Sequence, residues 1–199
     1  MKVKIKKEGK VKEFKLISSW EDVTLEKWLK LINFKEGSKT KEAEETIATL
    51  SNIPKKLVRE LELSDVAILM SRLAKCQQET NSSLKKIIEI DSVEYGFHPD
   101  LDSITLGEYA DIETFIKGGM ENNMPEIMAV LFRPIKEKKN DLYTIDAYDG
   151  DIKMRTEEMK KMSASQVQSA LVFFYHFGKE FCRILPLYLM QRLTAMNKQ

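Results

Sequence analysis

At 199 residues, with 43% hydrophobic and 32% charged side chains, the chain has the makings of a folded protein with one sizeable core or two small ones, not a disordered one. A formal charge of +1 excludes the strongly basic balance usual in a dedicated nucleic-acid-binding domain. Two cysteines, Cys76 and Cys182, without CxxC spacing point to reduced thiols, and the most apolar run, Ala170 to Phe177, is too short for a bilayer, so a soluble cytoplasmic protein with no membrane partner is expected.

Residues 2–7 and 11–16 alternate polar and apolar about Glu8-Gly9, which predicts a β-hairpin. Seven lysines lie in residues 1–15 and alternate there with Val3, Ile5, Val11 and Phe14. They read as a solvated sheet edge protected against aggregation rather than as a phosphate-binding surface. Thr24 then caps a helix carrying Leu25, Trp28, Leu29 and Ile32, broken at Gly37-Ser38. A second helix is expected from about Lys41, with Ala43, Ile47 and Leu50 on one face, and Asn52-Ile53-Pro54 ends it. Short helices follow over Lys55 to Glu60 and Ser64 to Lys75, the latter capped by Ser64 and turning Val66, Ala67, Met70 and Leu73 inward.

Gln77 to Ser83 is polar and reads as a joint. Beyond it, Leu84 to Ile90 and Val93 to Phe97 predict another hairpin about Asp91-Ser92. Thr105 and Glu108 are spaced as a capping box for a helix carrying Tyr109, Ile112, Phe115 and Ile116, which stops at Gly118-Gly119. Met124 to Phe132 is the next helix, ended by Arg133-Pro134, where Arg133 is expected to cap helix-terminal carbonyls. Leu142, Tyr143, Ile145 and Tyr148 are spaced like a short strand, and Asp149-Gly150 like a turn. A long helix from about Ser163 to Leu185 holds Val167, Leu171, Phe174 and Phe181 on one face and Val172, Phe173 and Phe177 around the side, then meets Pro186. A helix apolar nearly all round must be buried or must cover its second face with a partner.

Potential chemistry is sparse. His98 and His176 have no Ser, Cys or carboxylate at motif spacing; His98 reads as a loop residue and His176 as a core or interface one. Asp141, Asp146, Asp149 and Asp151 are the best metal candidates, but they lack the regular spacing and closing Glu of a calcium loop and read as a solvated turn. No phosphate-binding glycine motif is present, and Lys136 to Lys139 reads as the exposed lip of a loop. No enzyme, metal or cofactor is expected.

The most informative feature is an internal likeness. Val23-Thr24-Leu25 falls on Ile104-Thr105-Leu106 at an offset of 81, as do Phe14 on Tyr95, Leu16 on Phe97, Trp28 on Tyr109, Ala48 on Ala129 and Leu50 on Leu131. After Pro54 the offset grows to 101, where Ser64 falls on Ser165 and Val66 on Val167. The expected fold is α+β and mainly α-helical: two tandem homologous units, each a β-hairpin followed by three to four helices, with a long C-terminal helix. The units span residues 1–80 and 83–199, the second gaining an inserted loop at 136–162 and the aromatic C-terminal helix. They are expected to pack as a pseudo-dimer through faces containing Trp28 and Tyr109.

The stretch Ile47 to Leu73 resembles the tail assembly chaperones of tailed bacteriophages, in its helix broken at Leu50, Ile53 and Pro54 and in the following pattern Leu57, Leu61, Leu63, Asp65, Val66 and Leu69. Val23 to Leu31 is similar to the opening of those proteins, and the second half looks like structural-module proteins of phages. The basic hairpin and the insertion are not part of that pattern. The resemblance implies a non-enzymatic assembly protein acting in the host cytoplasm, holding an aggregation-prone tail or neck component soluble through apolar contacts. A permanent virion component, such as a neck or tail adaptor or ring, is the alternative; a nucleic-acid-binding factor ranks further behind. Expected partners are tail, neck or other virion proteins, with a homo-oligomer also open. The expected contact residues are Phe173, Phe177, Phe181, Pro186, Tyr143 and Tyr148.

Overall fold

Strands β1 (Lys2–Lys7) and β2 (Lys10–Lys15) pair antiparallel, with Val3 opposite Phe14 and Ile5 opposite Lys12, so Val3, Ile5 and Phe14 share the face that packs on the first core while Val11, opposite Lys6, is exposed on the other. The computed structural model describes residues 1–7, 10–34, 38–78, 84–140 and 142–172. A 3-10 turn at Trp20–Asp22 comes next, locked by the Asp22 carboxylate, which accepts from Ser18 N, Ser18 Oγ and Ser19 N at 3.0, 2.9 and 3.1 Å. Thr24 caps helix α1 (Leu25–Ile32), as its β-region backbone and Oγ allow. Helices α2 (Lys39–Thr49), α3 (Lys55–Val58) and α4 (Leu63–Gln78) complete this half.

Its core holds Leu16, Trp20, Ile47, Leu50, Ile53, Val58, Leu69 and Leu73. Helix α4 starts at Leu63, with Ser64 inside its first turn and not its cap. Its inward face is Val66, Leu69, Met70, Leu73 and Cys76, whereas Ala67 is exposed. The helix turns towards Leu69 because a leucine buries far more apolar area than an alanine.

The second half begins with β3 (Ile87–Ile90) and β4 (Val93–Phe97), joined through Asp91 and Ser92, both at positive φ, as a two-residue hairpin loop demands. After a 3-10 turn at Leu101–Ser103, helix α5 (Leu106–Lys117) opens on the Thr105–Glu108 capping box. Helix α6 (Met124–Leu131) is buried at Met124, Pro125 and every position from Ile127 to Leu131, consistent with its nearly continuous apolar sequence.

From Phe132 the chain departs from expectation. Residues 132–139 form β5 (Phe132–Lys139), which pairs with β4 and then with β6 (Leu142–Ile145), giving a sheet ordered β3-β4-β5-β6. Arg133 is therefore a strand residue and not a helix cap, and Lys136 to Lys139 is a strand end and not a loop lip. Helix α7 (Lys153–Met159) comes after the sheet, so the expected loop at 136–162 contains ordered strand and helix. A last helix, α8, is described over residues 164–172. The protein is thus α+β, with helices, a two-stranded sheet and a four-stranded sheet.

A few local features recur 81 positions apart, although the two sheets differ, one having two strands and the other four. The 3-10 turns lie at 20–22 and 101–103, and α1 and α5 begin at Leu25 and Leu106. Ile17 N donates to Leu50 O at 3.1 Å, and His98 N, 81 positions on, donates to Leu131 O at 2.7 Å. The halves interlock: Leu25, Trp28, Leu29 and Ile32 of α1 pack on the second core, and Ala164 of α8 joins the first. Trp28 touches both cores, while Tyr109 is half-buried on α5 and belongs to neither.

Candidate functional site

The densest polar chemistry lies where α5 crosses the sheet. Glu108, third residue of the capping box, is buried, and its Oε2 accepts from Thr105 N at 2.7 Å and Thr105 Oγ1 at 2.6 Å. Its Oε1 lies 2.6 Å from Arg133 Nη2 and 3.5 Å from His98 Nε2, and both of those residues are buried as well. The Arg133 guanidinium stands 5.8 Å from the Tyr148 ring centroid, and the Tyr148 hydroxyl donates to Asp111. Arg155 reaches Ala129 O and, at 3.4 Å, Asp149. Helix α5, strand β5 and the residue after β4 thus meet at one carboxylate, and Tyr148, in the chain before α7, lies against the Arg133 guanidinium.

Burial pulls the Glu108 pKa upward, but the Thr105 hydrogen bonds and the Arg133 and His98 charges outweigh it and hold it below the ordinary value. Burial pushes the His98 imidazole down; Glu108 and Asp100 oppose this and Arg133 reinforces it, leaving the value depressed. Burial likewise raises the Tyr148 phenol, helped by Asp111. At neutral pH the outcome is a carboxylate–guanidinium pair beside an uncharged imidazole, which gains its charge only in acid. Its members face one another rather than solvent, an arrangement that fastens helix to sheet. His98 lies in the loop just after β4, as its sequence context suggests, and is in addition a buried partner of Glu108.

Both depressed groups make the fold sensitive to acid. The unfolded chain protonates His98 near its ordinary value of 6.5 while the folded chain resists, so this stability is complete above that pH and declines as pH falls through the lower folded value. Glu108 adds a second loss beneath its ordinary 4.5. The melting temperature is expected to drop as pH is lowered below 6.5, and His98→Gln to flatten the first part of that decline. A wild-type melting temperature constant between those two values would contradict the assignment.

The other residues singled out in the sequence lie elsewhere. Tyr143 is half-buried on β6, and its hydroxyl lies 2.6 Å from Phe97 O and 3.2 Å from Lys86 O. Its ring covers Gly96, where an added Cβ would meet Tyr143 Cε2 at 2.4 Å, so the close approach requires glycine. Tyr143 and Tyr148 therefore both have partners inside the fold. Asp149 and Asp151 form local turns with backbone amides at 3.1 and 3.4 Å, and among the described residues no group of three or more metal-binding side chains gathers. Phe173, Phe177, Phe181, Pro186, His176 and Asp141 lie outside the described residues.

Large apolar side chains that meet solvent are the remaining candidates. Leu142 on the β5–β6 hairpin is 78% exposed and Met154 on α7 is 84% exposed. Leu63 at the start of α4 and Leu106 at the start of α5 are 82% and 84% exposed. Sequence periodicity missed the last two because each sits at a helix start, where an amphipathic pattern has only one turn in which to register. It missed the Glu108–Arg133 pair because the box already explained Glu108. Residues Leu57, Leu61, Glu62, Asp65, Ile68 and Leu69 line one wall of a groove of about 610 Å³ beside β1. No helix among the described residues is long and apolar enough to cross a membrane. No protein-family model, curated protein or solved structure matches the chain.

Proposed function

We propose that this chain is a non-enzymatic bacteriophage assembly protein, similar in action to a tail assembly chaperone, built on a duplicated hairpin-and-helix unit. It binds an aggregation-prone tail or neck component through apolar side chains. The observation that carries this reading is the exposure of Leu142 and Met154, both within the segment by which the second half departs from the first. Scattered exposed apolar side chains are ordinary, but Leu142 and Met154 both fall where the second half departs from the first. Val172 is also exposed, and Phe173, Phe177, Phe181 and Pro186, which lie outside the described residues, are the further contact residues of this reading. Tyr143 and Tyr148 serve it by fixing the hairpin and the approach to α7.

The experiment is co-expression of the chain with the tail and neck proteins of its own genome, scoring the soluble fraction of each. One such protein is expected to become soluble only in the chain's presence. Leu142→Asp with Met154→Asp is expected to abolish that rescue while leaving the circular dichroism unchanged. If no tail or neck protein responds, the chaperone reading fails. Mass spectrometry of purified particles tests the second reading, a permanent neck or ring component, which predicts stoichiometric retention.

A further inference from the structure

The two halves touch through a backbone junction made only once among the described residues. Thr24 bridges Ser163: Leu25 N donates to Met162 O at 2.8 Å and Ala164 N donates to Val23 O at 2.7 Å, while Glu26 N reaches Lys160 O at 3.0 Å. Leu25 and Ala164 are thereby buried, each in the core of the opposite half.

Both sides of that junction have a conformational double. Thr24 caps α1 at φ −74°, ψ 155°, and Thr105 caps α5 at φ −73°, ψ 158°. On the other side the relevant offset is 101. Leu61 N donates to Val58 O as Met162 N does to Met159 O, at 3.2 and 3.0 Å. Glu60 N donates to Leu57 O as Lys161 N does to Glu158 O, at 3.1 and 2.9 Å, and Val66 N to Glu62 O as Val167 N to Ser163 O, both at 3.0 Å. Position for position, residues 104–106 repeat 23–25 and residues 61–63 repeat 162–164.

These doubles are not joined to each other. The N–H of Leu63 and of Leu106, and the C=O of Leu61 and of Ile104, have no backbone partner among the described residues. The leucines beside them are the exposed pair Leu63 and Leu106, whose counterparts Ala164 and Leu25 are buried. Beside residues 61–63 lies the groove containing Leu57, Leu61, Ile68 and Leu69, which can receive an apolar side chain as the second core receives Leu25.

We infer that a second copy of this chain completes the junction. Residues 104–106 of one copy dock on residues 61–63 of the next, with Leu106 entering the groove beside α4. Leu63 N then donates to Ile104 O, and Leu106 N to Leu61 O. Each copy carries one of each surface, so the contact is head-to-tail and repeats, producing a ring if the rotation closes and a filament if it does not. The occupant is set by the junction already present inside the chain, independently of any phage role.

The test uses the full chain and two single variants at exposed positions, Leu106→Asp and Leu63→Asp, followed by sedimentation velocity at about 100 μM, where a micromolar contact is saturated. The wild type is expected to sediment as oligomers larger than a dimer. Each variant alone is expected to be monomeric with an unchanged melting curve. An equimolar mixture of the two is expected to recover dimers and nothing larger, because each supplies the surface the other lacks. A monomeric wild type overturns the inference, as do oligomers that survive both substitutions. Oligomers lost in each variant but not recovered in the mixture would assign the contact to a symmetric interface and overturn it equally.

Discussion

Glu108→Ala is expected to destabilise the protein by about 3–5 kcal/mol, the cost of stranding one member of a buried ion pair. The substitution removes the only carboxylate within ion-pair distance of Arg133 among the described residues and leaves a buried guanidinium behind. It also takes the acceptor from Thr105 N and Oγ1, which lie 2.7 and 2.6 Å away. Urea unfolding gives the measurement, through a lower midpoint with an unchanged slope. Replacing both members, Glu108→Leu with Arg133→Met, separates the two contributions. Apolar pairs of similar volume often recover about 1–4 kcal/mol, so the double variant is expected to be more stable than Glu108→Ala alone. If it is no better, the buried Arg133 charge is not the source of the loss.

Phe132→Ala is expected to cost a comparable amount, about 3–5 kcal/mol, by opening a cavity where the sheet meets its helices. Phe132 is wholly buried and meets the Phe97 ring edge-on at 5.1 Å and 68°. It also sits at the change from α6 into β5, so the cavity lies beneath β4 and β5 together. At this chain length such a loss corresponds to a fall in melting temperature of roughly 6–20 °C. Phe132→Leu, which keeps most of the volume, is expected to lose far less. Equal losses in the two variants would show that the site collapses around the smaller side chain.

The parts of the fold legible in the sequence share a physical basis. The caps at Thr24 and Thr105, the hairpin turn at Asp91-Ser92 and the stop before Gly118 are local: the residues that form them are within four positions of one another. Side-chain alternation at Val3, Ile5 and Phe14 likewise needs nothing beyond the strand itself. Phe132 to Lys139 departs from expectation where that locality ends. Arg133-Pro134 after an apolar helix looks like a stop signal, and the stop is real, but the next element is a strand held by β4 and β6, whose pairing no local signal announces. Pro134 lies opposite Tyr95 in that ladder, and its carbonyl accepts from Asp146 N at 3.0 Å.

The candidate contact surfaces divide the same way. Composition alone could not distinguish Leu25, which is buried, from Leu106, which is exposed, because both come directly after a capping threonine at a helix start. Only the arrival of residues 160–164 against α1 sets them apart. Tyr143 shows the converse: its strand periodicity is plain, yet the glycine beneath it and the carbonyls its hydroxyl meets belong to β4 and the chain before β3.

By itself the sequence determined the order of most elements, their caps and turns, and the offsets of 81 and 101 at which local geometry recurs, because these depend on short-range sterics and hydrogen bonding. Only the tertiary structure decided which copy of each recurring surface is buried and which faces water, and that Glu108 closes an ion pair as well as a cap. Burial is a property of the whole packing arrangement, so two segments alike in every local respect part company when a distant helix can cover only one of them.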